Sequence, residues 1–490
     1  MTQKNQIIET DVLVIGGGNA GLCAGISAKE YGVNVQIIDR GPREVSGGNT
    51  RFAGGGFKVP YEKPEDIIPI IPDLSVTEAG RNFSQPFPKE MYMDEMGRVT
   101  NYRADPDLIE VIVNESFDTV SWLTSHGVRF IPWPGSGWHG MPLQVSGGGA
   151  GLVDYLTESA VRAGVLISYN GNALELIRVN GRVAGAIVDY GDHVIEYRAH
   201  SVVLASGGFQ ANAEWRARYL GAGWDVVPVR GTWANTGGGI RMALEIGAQP
   251  FGQWTKAHAA GSDLNTPAFG DPDVADLFKK HCFDVGVVIN AKGERFFDEG
   301  ANFRALSYSK YAPALLEQPG SFAWQVFDSQ VTPLLSDEYH IRRVTRARGN
   351  TLEELVKNMD GVDSDGFLKT IKEYNDSVDV SVPFNHKILD GRGTVGINPP
   401  KSNWAQTISE PPFEAYAITT CITFTFGGVK INPNANVIAA NGSKLNGLFA
   451  AGEMVGGIFY YNYAAGASLT SGSVFGRIAG RNAALESLEQ

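Results

Sequence analysis

The chain is 490 residues long, more than one simple core needs, and its 43% apolar and 19% charged residues are those of a globular protein of about two or three domains. A net charge of −12 argues against nucleic acid and anionic membrane surfaces as general partners, so any anion must be met at a locally basic site. Met1 to Thr10 is polar, no apolar run approaches the roughly 18 residues of a membrane span, and Cys23, Cys282 and Cys421 form no C-x-x-C pair. The expectation is a cytoplasmic protein with no integral membrane segment, disulfide framework, iron–sulfur cluster or metal.

In chain order, Asp11-Val-Leu-Val-Ile15 is an apolar run suited to one buried strand. It runs into Gly16-Gly-Gly-Asn-Ala-Gly21, which fits G-x-G-x-x-G. A helix is predicted over Leu22 to Tyr31 and a second strand over Val33 to Ile38, ending at Asp39. This is a β-α-β unit with an acidic residue about 20 positions past the glycines, the pattern of dinucleotide binding. Gly16 permits the tight turn, Gly18 lets backbone approach a pyrophosphate, and Gly21 lets helix pack on strand. Asn19 and Ala20 lie where the helix start offers its N–H groups to that phosphate. Asp39 is placed to bond a ribose, and Arg40 is assigned to the same ligand.

The next stretch is dense in glycine, and Gly47, Gly48, Asn49, Thr50, Gly54 and Gly55 are expected to thread close to a flat ligand. Pro60 to Arg103 reads as irregular and proline-rich. Asp105 to Ser125 reads as an amphipathic helix with Leu108, Val111, Ile112, Phe117 and Trp122 on its apolar side. A proline/glycine loop, Phe130 to His139, carries Trp133 and Trp138, both candidates for pocket lining. Ser146 to Leu152 is a second glycine-rich turn, followed by a helix to Ala163. Strands are predicted over Ala173–Val179, Arg182–Tyr190 and His193–Tyr197, joined by Asn180-Gly181 and Gly191-Asp192 turns. Ser201 to Gly208 is a further apolar strand ending in glycines, suited to rejoining the first sheet.

Three strands inserted in a Rossmann-like sheet resemble FAD enzymes of the glutathione-reductase and fumarate-reductase kind. Downstream, Asn235-Thr-Gly-Gly-Gly-Ile-Arg-Met-Ala243 resembles their N-T-G-D-G-I-x-M-A stretch, with Gly238 where Asp is usual. Val287 to Glu299 resembles V-N-x-x-G-x-R-F-V-x-E, and Gly447 to Glu453 with Val474 to Gly480 resembles the C-terminal signature. On these motifs the chain is identified as a member of the FAD-dependent fumarate reductase/succinate dehydrogenase flavoprotein superfamily. The resemblance implies an α/β fold: a glutathione-reductase-type FAD-binding domain in two parts, 1–253 and 413–490, with an inserted α+β capping domain over 254–412. It also implies FAD contacts from Ala173, Ser206, Gly207, Asn235, Gly237, Gly452, Glu453, Ser468 and Leu469. Covalent members carry a histidine in S-H-T where this chain has Gly48-Asn49-Thr50, so FAD is expected to be held non-covalently. The helix opening after Gly466 would aim its N–H groups at the flavin pyrimidine oxygen.

The resemblance also nominates catalytic groups. Arg304 matches the fumarate reductase arginine that delivers a proton, and His258 matches a histidine that contacts a substrate carboxylate. The chain departs from fumarate reductases at Thr423-Phe424-Thr425-Phe426, where histidines are usual, and at Phe459-Tyr460-Tyr461-Asn462-Tyr463, where an arginine of H-G-A-N-R is usual. One carboxylate clamp is thus replaced by aromatic and phenolic groups. The segments Arg295 to Arg304 and Ile458 to Gly466 most resemble tricarballylate dehydrogenases, which desaturate a carbon–carbon bond beside a carboxylate. Ketosteroid dehydrogenases of the superfamily use a tyrosinate to take an α-proton, a place that Tyr461 or Tyr463 would fill, with Arg304 as the positive charge a phenol needs. Trp133, Trp138, Trp254, Phe424, Phe426, Tyr460 and Gly466 would line a pocket for a partly apolar, cyclic acid.

The reading is an FAD-dependent α,β-desaturase of a small carboxylic or keto acid, such as 4-oxocyclohexanecarboxylate or a tricarballylate-like acid. Electrons would pass to an external acceptor: O2, a quinone or a redox protein. Its rivals are an enoate reductase running the other way, a nicotinamide-linked oxidoreductase and a non-catalytic FAD-binding redox sensor.

Overall fold

A computed structural model describes residues 6–133 and 142–489. Strand β1 (Gln6–Ile15) is buried from Val12 onward and runs into the glycine turn; helix α1 (Asn19–Lys29) follows, then strand β2 (Val35–Ile38), parallel to β1. The helix begins before the predicted Leu22 because Gly18 is the last extended residue, at φ −77° and ψ −176°. On the other side of β1 lies β3 (Val194–Leu204), also parallel. The two strands expected at 193–197 and 201–208 are therefore one. In–out alternation continues through Ala199 and no turn residue interrupts it. The hairpin Asn172–Val179/Arg182–Asp189 extends β3, and Asn180 and Gly181 take the positive φ of 51° and 81° that such a turn requires. With Leu166–Ser168, Asn436–Ile438 and Lys444–Ala450 the sheet has eight strands.

Pro60 to Arg103 is not simply irregular. It holds helices Val76–Asn82 and Lys89–Val99, the first started by a capping box between Ser75 and Glu78. That S-x-x-E pattern was the available signal, masked by the surrounding prolines. Asp105 caps the helix Pro106–Ser125, accepting from the N–H groups of Asp107 and Leu108.

A second sheet is antiparallel throughout. Its centre is β4 (Pro250–Asp263) against β5 (Phe413–Val429), joined by Phe322–Phe327, Val287–Asn290 and Arg346–Gly349. Helix α2 (Arg304–Leu316) packs on β4 and β5. A separate apolar cluster that includes Trp324, Val326, Leu355, Phe367 and Ile371 covers part of this sheet. Here the R-F-F-D-E stretch has a structural use. Arg295 pairs with fully buried Glu299, which also accepts from the Val288 N–H at 3.0 Å. Arg295 donates as well to the Pro399 and Pro400 carbonyls, tying down the chain that leads to β5.

The C-terminal helix α3 (Ala467–Leu488) lies on α1 at close range. A Cβ at Gly476 or Gly480 would stand 2.4 Å or 2.0 Å from the carbonyl oxygens of Ala20 and Ala24. Glycine's missing side chain is what brings the two helix starts together. Asn19 locks them, donating to the Leu469 carbonyl at 2.8 Å and accepting from Ser473 at 2.9 Å. Among the described residues no helix is long and apolar enough to cross a membrane.

Candidate functional site

The starts of α1 and α3 open into one long cleft. Its empty volume, mouth included, is about 1850 Å³. Neither helix carries a side-chain cap or an acidic residue in its first turn, so their N–H groups are suited to an anion. Glycine backbone at 16–18 and 48 lines the cleft beside the α1 start, and Gly54 lines it toward Trp133 and Asp276. Asp39 also lines the cleft, its two oxygens accepting from the N–H groups of Gly17 (3.1 Å), Gly41 (2.7 Å) and Gly47 (3.3 Å), and burial pushes its pKa up. Arg40 sits nearby, donating to the Ala234 carbonyl and the Thr236 hydroxyl. An adenine dinucleotide fits this donor set: pyrophosphate on the uncapped helix starts, ribose beside Asp39.

Asn19, Ala20, Asn49, Thr50, Ala173, Ser206, Gly207, Asn235, Gly452, Ser468 and Leu469 line the same cleft. Gly21, Gly47 and Gly237 lie behind the lining. Their work is in the backbone: Gly47 and Gly237 have φ of 104° and 82° at helix starts, and Gly21 packs on the Gly16 carbonyl.

Glu453 is half-buried and lines the same cleft. Its carboxylate accepts from the N–H of Thr425 (3.0 Å), the Gln210 amide (3.1 Å) and the Asn235 amide (3.3 Å). Burial dominates, and its pKa is pushed up to about 7. The folded state then binds more protons than the unfolded chain between the usual carboxylate range and about pH 7. The contribution of this group to stability falls as pH rises through that window and is level above it. The expected result is a melting temperature that declines from about pH 5 to about pH 8 more steeply in the wild type than in Glu453→Gln. Equal slopes would show that Glu453 does not titrate there.

The other end of the cleft is aromatic. His258 on β4 faces Phe424 on β5, with ring centroids 5.0 Å apart, and the ladder is irregular on both sides of His258. Tyr463 lies 4.6 Å from the His258 ring, 5.2 Å from Phe424 and 5.3 Å from Phe459. Its Oη accepts the Gly466 N–H at 2.9 Å and meets the Ser468 hydroxyl at 3.3 Å. Burial pushes the phenol up, opposed by Ser468, Gly466 and the Arg230 guanidinium. His258 is held well below the usual histidine range by burial and then by Arg230, so its ring is neutral; its Nδ1 pairs with the Ser309 hydroxyl at 2.7 Å.

Trp133, Phe424, Phe426 and Gly466 line this end with His258 and Tyr463. Four of the residues named from sequence do not. Arg304 is outside the lining, paired with Asp284 at 2.7 Å, which holds its guanidinium charged. Tyr461 is 48% exposed, its backbone in the left-handed region at φ 61°, so its phenol is turned away. Tyr460 is also off the lining, and Trp254 packs instead with Phe209, Trp215 and Tyr219. Trp138 falls outside the described residues. Sequence reasoning missed Arg230, Asp276, Lys279, Tyr308 and Phe459, all on the lining. The charge facing Tyr463 comes from Arg230 and not from Arg304.

A model of the FAD binding domain matches residues 11–469. A probable fumarate reductase, Ifc3, of Shewanella frigidimarina is 30% identical over 98% of this chain and 76% of its own length. The 4-oxocyclohex-2-ene-1-carboxylate 5-dehydrogenase of Sinomonas cyclohexanicum is 25% identical over 98% of this chain and 95% of its own. Among solved structures, the open conformation of a flavocytochrome c3 fumarate reductase superposes with a TM-score of 0.76 at 27% identity, covering 98% of this chain and 79% of that one.

Proposed function

Because the chain belongs to the FAD binding domain family, whose relatives here reduce or dehydrogenate carbon–carbon bonds, we propose that it is an FAD-dependent desaturase. It forms a double bond next to the carbonyl or carboxyl group of a small acid, best a cyclic keto acid. FAD, when bound, supplies the acceptor for the β-hydride. The Tyr463 phenolate, held by the Gly466 N–H and the Ser468 hydroxyl, takes the α-proton on Oη and becomes the neutral phenol. Neutral His258 hydrogen-bonds the substrate carbonyl or carboxyl. Phe424, Phe426, Phe459 and Trp133 exclude water and fit an apolar ring. Residues 254–412 act as the capping domain, and an external acceptor (O2, a quinone or a redox protein) takes the electrons.

The observation that carries this reading is the Tyr463 phenol, held by a backbone N–H inside an aromatic pocket beside a cation. The reverse reaction, reduction of an enoate, is the second reading. It is favoured by the 30% identity to a probable fumarate reductase.

Anaerobic titration of the flavin visible band tests the assignment. Tricarballylate, succinate and 4-oxocyclohexanecarboxylate are added in turn to the oxidised holoprotein. Bleaching by one of them supports the desaturase and names its substrate class. No bleaching, with reoxidation of chemically reduced protein by an unsaturated acid, turns the assignment to a reductase. No response to any acid in either direction sinks both.

A further inference from the structure

The cleft contains a buried charge imbalance. Asp276 is flanked by two cations: Arg230 donates to its Oδ1 through Nε (2.7 Å) and a terminal nitrogen, and Lys279 donates to its Oδ2 at 2.6 Å. The three side chains are only 14%, 9% and 16% exposed in the order Arg230, Asp276, Lys279. Among the described residues the ion pairs of both cations are with Asp276 alone. One carboxylate against two fixed cations leaves one positive charge, little hydrated, on the cleft wall. Leaving such a charge uncompensated is costly, and an anion from outside relieves it.

Position says which anion. The Arg230 backbone N–H bonds the Ile422 carbonyl, and its third nitrogen reaches Thr423 Oγ1 at 3.3 Å, next to Phe424. Asp276 and Lys279 approach the glycine-rich loop: a Cβ on Gly54 would stand 3.0 Å from Asp276 Oδ2 and 3.8 Å from Lys279 Nζ. The cluster is therefore at the aromatic end, away from Asp39 and Arg40. His258 and His281 add no charge, since burial and then Arg230 hold both well below the usual range.

We infer that Arg230, oriented by Asp276 and supported by Lys279, is the anchor for the substrate carboxylate and sets the preference of the cleft for a monoacid with an uncharged, ring-sized body. The segment before β4 thus supplies the cation missing from Phe459 to Tyr463. One excess charge matches one carboxylate, so a second carboxylate on the substrate meets no further excess charge in this cluster. This rests on the desaturase reading for its site but not for its direction.

The test uses FAD-loaded protein and two matched probes, 4-oxocyclohexanecarboxylate and 4-oxocyclohexanecarboxamide, with binding read from the perturbation of the flavin spectrum. Wild type is expected to bind the acid roughly 10- to 100-fold more tightly than the amide, the range for a hydrogen-bonded charge. Arg230→Gln leaves Asp276 and Lys279 as a neutral pair, and should abolish that preference with little change for the amide. Should R230Q lose FAD, Arg230→Lys is read instead: it keeps the charge without the fork, and should weaken the acid about tenfold or less while retaining part of the preference. An unchanged preference in R230Q, unchanged acid affinity in R230K, or no preference in the wild type overturns the anchor. The two proposals fail separately. Acid binding that depends on Arg230 without any redox change removes the desaturase and keeps the anchor. Acid oxidation with an Arg230-independent preference does the reverse.

Discussion

Tyr463→Phe is expected to lower turnover by about 10²- to 10⁴-fold, the usual worth of a positioned acid or base, while FAD stays bound. The substitution removes one oxygen and nothing else. Packing against His258, Phe424 and Phe459 is kept, because those contacts are made by the ring. The folding cost is about 1–3 kcal/mol, for the Gly466 N–H left without its acceptor. The loss should fall on kcat more than on KM. The pH profile identifies the proton's direction. Burial raises the phenol above its ordinary value near 10, so below that value a desaturase needs the rare phenolate, and its rate rises with pH about tenfold per unit. A reductase uses the abundant phenol and is flat over the same range. In Tyr463→Phe the slope should vanish. Wild-type kcat in that variant, at full FAD content, would remove Tyr463 from the chemistry.

The choice between Tyr461 and Tyr463 shows where sequence stops informing. Both phenols lie within a few residues of Gly466, and their order along the chain is equally good for either. What separates them is a single left-handed residue: φ of 61° at Tyr461 turns its side chain toward solvent, while Tyr463 is 7% exposed. No side-chain pattern encodes that. The β1–α1–β2 unit was legible because its cause is local; a strand, three glycines and a helix need only their own neighbours to form. The glycine turns that line the cleft are local in the same way. Arg304 was nominated by its spacing from R-F-F-D-E, yet in three dimensions that spacing delivers it to Asp284. Arg230 carries no motif. It reaches the cleft because its backbone is fastened to Ile422 on β5, almost two hundred positions later, and because Asp276 holds its guanidinium in place. Such a site exists only once the second sheet is assembled. Residues 254–412 have the same property: their strands pair with β5 across long intervals, so a mixed helix-and-loop appearance in sequence hid the antiparallel sheet.

Gly21→Ala is expected to abolish FAD loading. A Cβ at this position would stand 1.8 Å from the Gly16 carbonyl oxygen and 3.4 Å from the Ala205 side chain. The obstacle is backbone, so no rotamer change relieves it; α1 must move away from the end of β1 by more than an ångström. Overpacking of this kind costs about 1–3 kcal/mol, and more where the neighbour is rigid. The functional loss should be larger than the stability loss. Displacing α1 moves the N–H groups proposed to hold the pyrophosphate, and it strains the Asn19 bonds that hold the start of α3 against the same cleft. Both helix dipoles then miss the ligand together. The protein should purify colourless, with a far-UV spectrum close to that of the wild type. Gly80→Ala is the matched control. That glycine also lies inside a helix, Val76–Asn82, with nothing within 4 Å of an added Cβ. There the change should be neutral or stabilise by up to about 1 kcal/mol, with FAD at full stoichiometry. If Gly21→Ala retains FAD as Gly80→Ala does, the α1 start is not what holds the pyrophosphate.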